Sequence, residues 1–151
     1  MFRLRTICGL IFLFFSFSNL AQSIEFELVD LKQTKYQLAD YKNKWVVLNY
    51  WATWCPPCRR EMPMLVDYNE ARDDVQIFGI NYEPGIEVDR LNDFVDTYFI
   101  NYPTIPATKA IVNKFGLPSG LPMTIFISPE GKIVKKHTGM LSKSFLDEVM
   151  K

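Results

Sequence analysis

The sequence has one histidine, three cysteines and no excess of either charge, 17 Lys+Arg standing against 17 Asp+Glu. Balanced charge removes the basic field that draws a chain to nucleic acid, and the acidic one that draws cationic partners. Three cysteines are too few for a disulfide-stapled miniprotein. They also make zinc a poor fit, since no second Cys pair exists and the distant His137 cannot complete four ligands. Covalent haem is excluded because Arg59 stands where attachment needs a histidine after the second cysteine. No linker, repeat or low-complexity stretch divides the chain. What remains is 151 residues, 48% hydrophobic, enough for one packed domain.

Acidic residues are missing from the first 24 positions. Arg3 and Arg5 precede an apolar run from Ile7 to Leu20, shorter than the roughly 20 residues a membrane-spanning helix needs and close to a signal-peptide core. Ala21-Gln22-Ser23 has the small-x-small pattern of a cleavage site. Residues 1–23 therefore read as a signal peptide, with a mature start near Ile24 or at Gln22, or else as an uncleaved anchor. Cys8 is part of that apolar run, which leaves Cys55 and Cys58 as the only cysteines of the domain at 24–151. Export to an oxidising compartment lets that pair persist as a disulfide.

Hydrophobic patterning predicts the elements. Lys44 to Trp51 is apolar on both faces, as a central buried strand requires, and Val75 to Tyr82 repeats the pattern. A helix is expected from Pro57 to about Arg72, with Met62, Leu65, Val66 and Asn69 at helical spacing and a kink at Pro63. A second is expected from Glu87 to Ile100, its apolar face formed by Leu91, Phe94, Val95, Tyr98 and Phe99. A short helix over Thr108 to Phe115, a strand from Met123 to Ser128, a turn at Pro129-Glu130-Gly131 and a strand from Lys132 to Thr138 follow. Ser142 caps a last helix to Met150, and Phe26 to Leu38 adds N-terminal strands. This order predicts an α/β domain whose mixed sheet carries helices on both faces.

Trp54-Cys55-Pro56-Pro57-Cys58 falls where the first long strand hands over to a helix. The spacing brings the second sulfur within disulfide reach and puts the first at the helix N-terminus, where unpaired N–H groups and the dipole favour thiolate. Pro56 and Pro57 lack N–H groups, so Cys58 supplies the main backbone donor to Cys55, and Arg59 and Arg60 add positive charge. A Cys55 pKa below the reference of about 8.5 follows. Cys55 is thus the expected attacking nucleophile and Cys58 the resolving thiol. A static staple is the bland alternative, but a bridge closing so short a loop contributes little loop entropy.

Trp51 to Pro63 (WATWCPPCRREMP), Gly120-Leu121-Pro122-Met123-Thr124 and Ile127 to Lys132 (ISPEGK) together resemble the thioredoxin superfamily, and within it the exported TlpA/ResA/DsbE-like thiol-disulfide oxidoreductases. The resemblance spans Phe26 to Lys151 and implies a thioredoxin-like fold with an N-terminal strand extension and an inserted helix before a cis-proline at Pro122. It implies that the backbone beside Leu121 pairs with an extended peptide, and that Trp54 and Pro56 meet the substrate while Trp51 packs beneath. Asn49 takes the place of a buried Asp in thioredoxin, and an amide cannot accept a proton. Glu61, three residues after Cys58, matches an acidic position linked to proton handling; an exposed carboxylate near the helix start is the other reading. Glu83 is a weaker candidate of the same kind.

The expected activity is disulfide exchange with exported proteins of a periplasm, without a cofactor beyond the dithiol, by a monomer that binds no nucleic acid. The resemblance adds reduction of apocytochrome c cysteines and a membrane thiol electron donor. The competing reading is a copper module, in which Cys55 and Cys58 join Met62, Met64 or Met123 as soft ligands for Cu(I); these methionines read equally as core filler. His137 reads as a surface residue.

Overall fold

The computed structural model describes residues 24–151, so the expected targeting segment at 1–23, with Cys8, lies outside the described residues. Strands β1 (Glu27–Val29) and β2 (Lys35–Gln37) form an antiparallel hairpin sheet. The main sheet contains β3 (Trp45–Trp51), β4 (Val75–Asn81), β5 (Thr104–Pro106), β6 (Met123–Ile127) and β7 (Ile133–Thr138), in the order β5-β4-β3-β6-β7. β3 lies at its centre because its WVVLNYW run can be buried on both faces. It pairs in parallel with β4 and antiparallel with β6, while β4 pairs in parallel with β5 and β6 antiparallel with β7. The sheet is therefore mixed, as the patterning predicts.

The helices are α1 (Pro56–Ala71), α2 (Val88–Thr97), α3 (Lys109–Phe115) and α4 (Lys143–Val149). One core joins Val47, Trp51 and Phe126 of the sheet to Met62 and Leu65 of α1, Leu91 of α2 and Leu146 of α4. The opposite face packs Leu48, Phe78 and Ile125 against Ile111 and Phe115 of α3 and Leu28 of the hairpin. None of the described helices is long and apolar enough to cross a membrane.

α1 is continuous through Pro63, which faces solvent beside the exposed Arg59, so the Arg59 carbonyl deprived of its N–H partner lies on the wet side of the helix. Two elements differ from the sequence reading. α2 stops at Thr97. Phe99 takes a left-handed turn (φ 52°) and is 81% exposed, while Ile100 turns inward, so Phe99 is not on the apolar face. β5 has no counterpart in the patterning, because three residues that follow Pro103 and end on Pro106 cannot show alternation; its edge position is what tolerates proline.

Candidate active site

Cys55 caps α1, and the chain arrives there directly from the C-terminal end of the central strand. Because Pro56 and Pro57 donate nothing, the N–H of Cys58 reaches Cys55 Sγ at 3.3 Å, the donor the sequence singled out. Cys55 and Cys58 are joined in a disulfide with Cα atoms 5.3 Å apart. Both are buried, Cys55 retaining 2% exposure and Cys58 none. Access to Cys55 is from a groove of about 400 Å³ whose walls include Trp54, Pro56, Tyr82, Pro118 and Leu121. Trp54 stands 64% exposed on its rim, and Trp51 is fully buried beneath, stacked on Phe94 at 5.1 Å.

The Leu121–Pro122 peptide is cis and leads straight into β6. The Pro122 carbonyl accepts from the Gly139 N–H at 2.9 Å, which ties this turn to the end of β7. The expected substrate-facing residues Trp54, Pro56 and Leu121 therefore share one groove with Cys55. Tyr82, Pro84 and Pro118 were not anticipated there. Tyr82 and Pro84 follow the C-terminal end of β4, the edge where open α/β sheets place their sites, and that position was the available signal.

Glu61 is not an exposed carboxylate. It is 2% exposed, on the face of α1 that meets the sheet. Asn49 Nδ2 donates to Glu61 Oε1 at 2.9 Å and to Thr124 Oγ1 at 3.1 Å, and the Leu141 N–H donates to Oε2 at 2.8 Å. Burial pushes the Glu61 carboxyl up to about 7, against the two hydrogen bonds that favour its charged form. A buried group with a proton affinity near neutrality can take up or release a proton where an amide cannot. Glu83 makes different contacts. Its Oε2 accepts from both the N–H (3.0 Å) and the hydroxyl (2.8 Å) of Thr53, fastening the loop before Cys55 to the end of β4.

Of the methionines considered as soft ligands for copper, Met62 shares its core with Cys55 and Cys58 and Met64 packs against that core, whereas Met123 does not. Met62 belongs to the core on the α1 face and Met123 to the core on the α3 face, with the sheet between them. Among the described residues no group of three or more His, Cys, Asp or Glu could hold a metal ion. His137 is half-buried, its ring centroid 4.5 Å from that of Phe145.

Residues 21–136 match the AhpC/TSA family. The chain is 38% identical over 133 residues to thiol-disulfide oxidoreductase ResA of Halalkalibacterium halodurans, covering 85% of this chain and 73% of that one. Among solved structures, a thiol:disulfide interchange protein of the thioredoxin family from Chlorobium tepidum TLS superposes with a TM-score of 0.74 at 27% identity, over 84% of this chain and 91% of that one. A secreted Mycobacterium tuberculosis disulfide oxidoreductase, homologous to E. coli DsbE, gives 0.68 at 26% identity, over 82% and 92%. A dithiol at a strand-to-helix junction and relatives of the same chemistry agree: the chain belongs to the AhpC/TSA family and is a thioredoxin-like thiol-disulfide oxidoreductase.

Proposed function

We propose that this enzyme exchanges disulfides with exported proteins, that Cys55 is the sulfur joined to the partner, and that Glu61 handles the proton of Cys58. When the dithiol acts as reductant, Cys55 thiolate, with a pKa below about 8.5, attacks a partner disulfide and releases one partner sulfur as thiolate. Cys58 then gives its proton to the Glu61 carboxylate and attacks Cys55 Sγ. The mixed disulfide breaks, the second partner sulfur leaves as thiolate, and two electrons have passed to the partner. The reverse sequence oxidises a partner dithiol by the same steps.

The observation that carries this reading is the buried carboxylate three residues beyond the buried cysteine, held by Asn49 and Leu141. The groove supports an extended peptide as substrate, seated between Trp54 and the backbone beside Leu121, with Pro122 setting the turn. Export is supported by the basic and apolar character of residues 1–23 and by the secreted relative. In this reading the segment delivers the domain to a periplasm or tethers it to the membrane there, a membrane thiol donor re-reduces the pair, and apocytochrome c cysteines are among the substrates. The redox-active disulfide is the only redox group required.

Cys58→Ala expressed in the exporting host tests this directly. Mixed disulfides on Cys55 with exported proteins are expected on non-reducing gels, with cysteine-bearing apocytochrome peptides identifiable by mass spectrometry. Absence of any Cys55-linked partner would sink the reading.

A further inference from the structure

Five of the six buried side-chain polar atoms left without a partner, among the described residues, belong to four residues on one face of the sheet: Trp51 Nε1, both amide atoms of Asn81, Tyr102 Oη and Thr104 Oγ1. Strand register explains the grouping. Thr124 of β6 pairs with Asn49 of β3, Asn49 with Gly79 of β4, and Gly79 with Thr104 of β5. Directly paired residues share a face, so these four form one row across the sheet, roughly 14 Å long at about 4.8 Å per strand; Trp51 and Asn81 are the next pair on the same face, and Tyr102 reaches over Gly79 from just before β5. At the β6 end the row is satisfied, Asn49 donating both to Thr124 and to Glu61. Towards β5 the polar atoms have no protein partner.

Gly79 is the third position of the row, and only its lack of a side chain lets Trp51 and Tyr102 close over it. A Cβ built there would lie 2.8 Å from Trp51 Nε1 and 3.0 Å from Tyr102 Cε2. The row ends at an opening. Tyr102 and Thr104 also line a surface cleft of about 620 Å³ between the β1–β2 hairpin and α2, whose other walls include Asp30, Lys32, Asn92 and Asp96. Leaving so many neighbouring polar atoms buried and unpaired is costly, and ordered water is the usual occupant that removes that cost.

We propose that Trp51, Asn81, Tyr102 and Thr104 hold a chain of ordered water across the sheet, and that this chain carries the Glu61 proton to the cleft beside β5. The inference rests on Glu61 accepting the proton of Cys58. The route solves a problem created by that step: a bound partner fills the groove over Cys55, so a proton left on Glu61 needs another way out. Glu61 passes its proton to the nearest water, each water hands one on, and a proton leaves at the cleft, restoring the carboxylate. Tyr102 lies close enough to feel the Glu61 charge, which raises its hydroxyl further above the ordinary tyrosine range after burial has done most of the work. The four are positioning residues that touch neither substrate nor sulfur.

The test combines occupancy, stability and rate. A high-resolution crystal structure of the oxidised enzyme should show water within hydrogen-bond distance of Tyr102 Oη, Thr104 Oγ1 and Trp51 Nε1; a dry cluster overturns the proposal. Tyr102→Phe with Thr104→Val removes two hydroxyls at nearly constant volume. Dry orphans would make this variant more stable than wild type in urea, whereas hydrated ones leave it no more stable.

For rate, the mixed disulfide on Cys55 is formed with a model peptide and its resolution by Cys58 followed by stopped flow. The paired variant should slow release about threefold or more and raise the solvent deuterium isotope effect, while Glu61→Gln slows it more, up to the roughly hundredfold that loss of a general base can cost. If Glu61→Gln is slow but the paired variant resolves at the wild-type rate with an unchanged isotope effect, the route fails alone. If Glu61→Gln also resolves at the wild-type rate, the proton reading of Glu61 fails and the route with it.

Discussion

Glu61 shows how one side chain can owe its chemistry to residues far away in sequence. Its position on α1 comes from the spacing after Cys58, which the sequence displays. Its proton affinity comes from burial against Asn49 and from the N–H of Leu141, eighty residues on, which the sequence does not display. The raised carboxyl has a consequence for stability. Between about 4.5, the ordinary value, and about 7, the unfolded chain releases this proton and the folded one keeps it, so stability falls as pH rises through that window and levels off above it. The size of the fall is roughly 3 kcal/mol for a shift of this order. Glu61→Gln should abolish that slope, read from urea unfolding at pH 4.5, 6 and 7.5. The slope is the proper readout, because Gln offers one acceptor where the carboxylate offers two, and the loss of one hydrogen bond alters stability at every pH. A slope unchanged in Glu61→Gln would place the titration elsewhere.

At the scale of elements, periodicity made the long, doubly buried or amphipathic segments legible: β3, β4, α1, β6 and most of α2 follow from their own residues. Its failures have local causes. The apolar spacing of α2 continues to Phe99, but the left-handed turn there breaks the helical phase, and nothing in the order Tyr98-Phe99-Ile100 announces it. β5 is too short to carry a pattern and exists because β4 offers it an edge. The Cys-Pro-Pro-Cys turn was legible because proline and cysteine have few other uses at a helix start; the groove walls at Tyr82 and Pro118 were not, since they are contributed by distant loops. Gly79 is a further case of the same kind. Inside a strand it reads as a weak point, yet Trp51 and Tyr102 close over it. Gly79→Ala should therefore cost about 1–3 kcal/mol through overpacking, despite the better strand propensity of alanine. Denaturant unfolding decides this, and a neutral result would mean that the Trp51 and Tyr102 rings shift freely.

At the scale of the whole molecule, the five-stranded sheet has two edges, and each is guarded differently. β5 is kept to three residues, preceded by Pro103 and ending on Pro106. β7 is longer and exposed, and its run carries Lys135 and Lys136 beside Ile133 and Val134. Lys135 lies over the Phe145 ring at 5.0 Å and Lys136 Nζ donates to the Phe115 carbonyl at 2.5 Å, so both stems cover the core while their charges oppose pairing with a second strand. Lys135→Val with Lys136→Val should give a species whose sedimentation depends on concentration more steeply than that of the parent. A variant that sediments like the parent at all concentrations would assign the guarding of this edge to other features.

The nearly complete covering of Cys55 bears on how such a molecule works among other thiols and disulfides. Reaction at sulfur depends on access as much as on potential. With Cys55 as the reacting sulfur, as proposed above, a bond whose outer residue retains only 2% exposure is opened by whatever can settle into the groove between Trp54 and Leu121. Shape then acts as electrical insulation: two redox circuits of very different poise can run side by side in one compartment, and the current through this dithiol is chosen by its contacts.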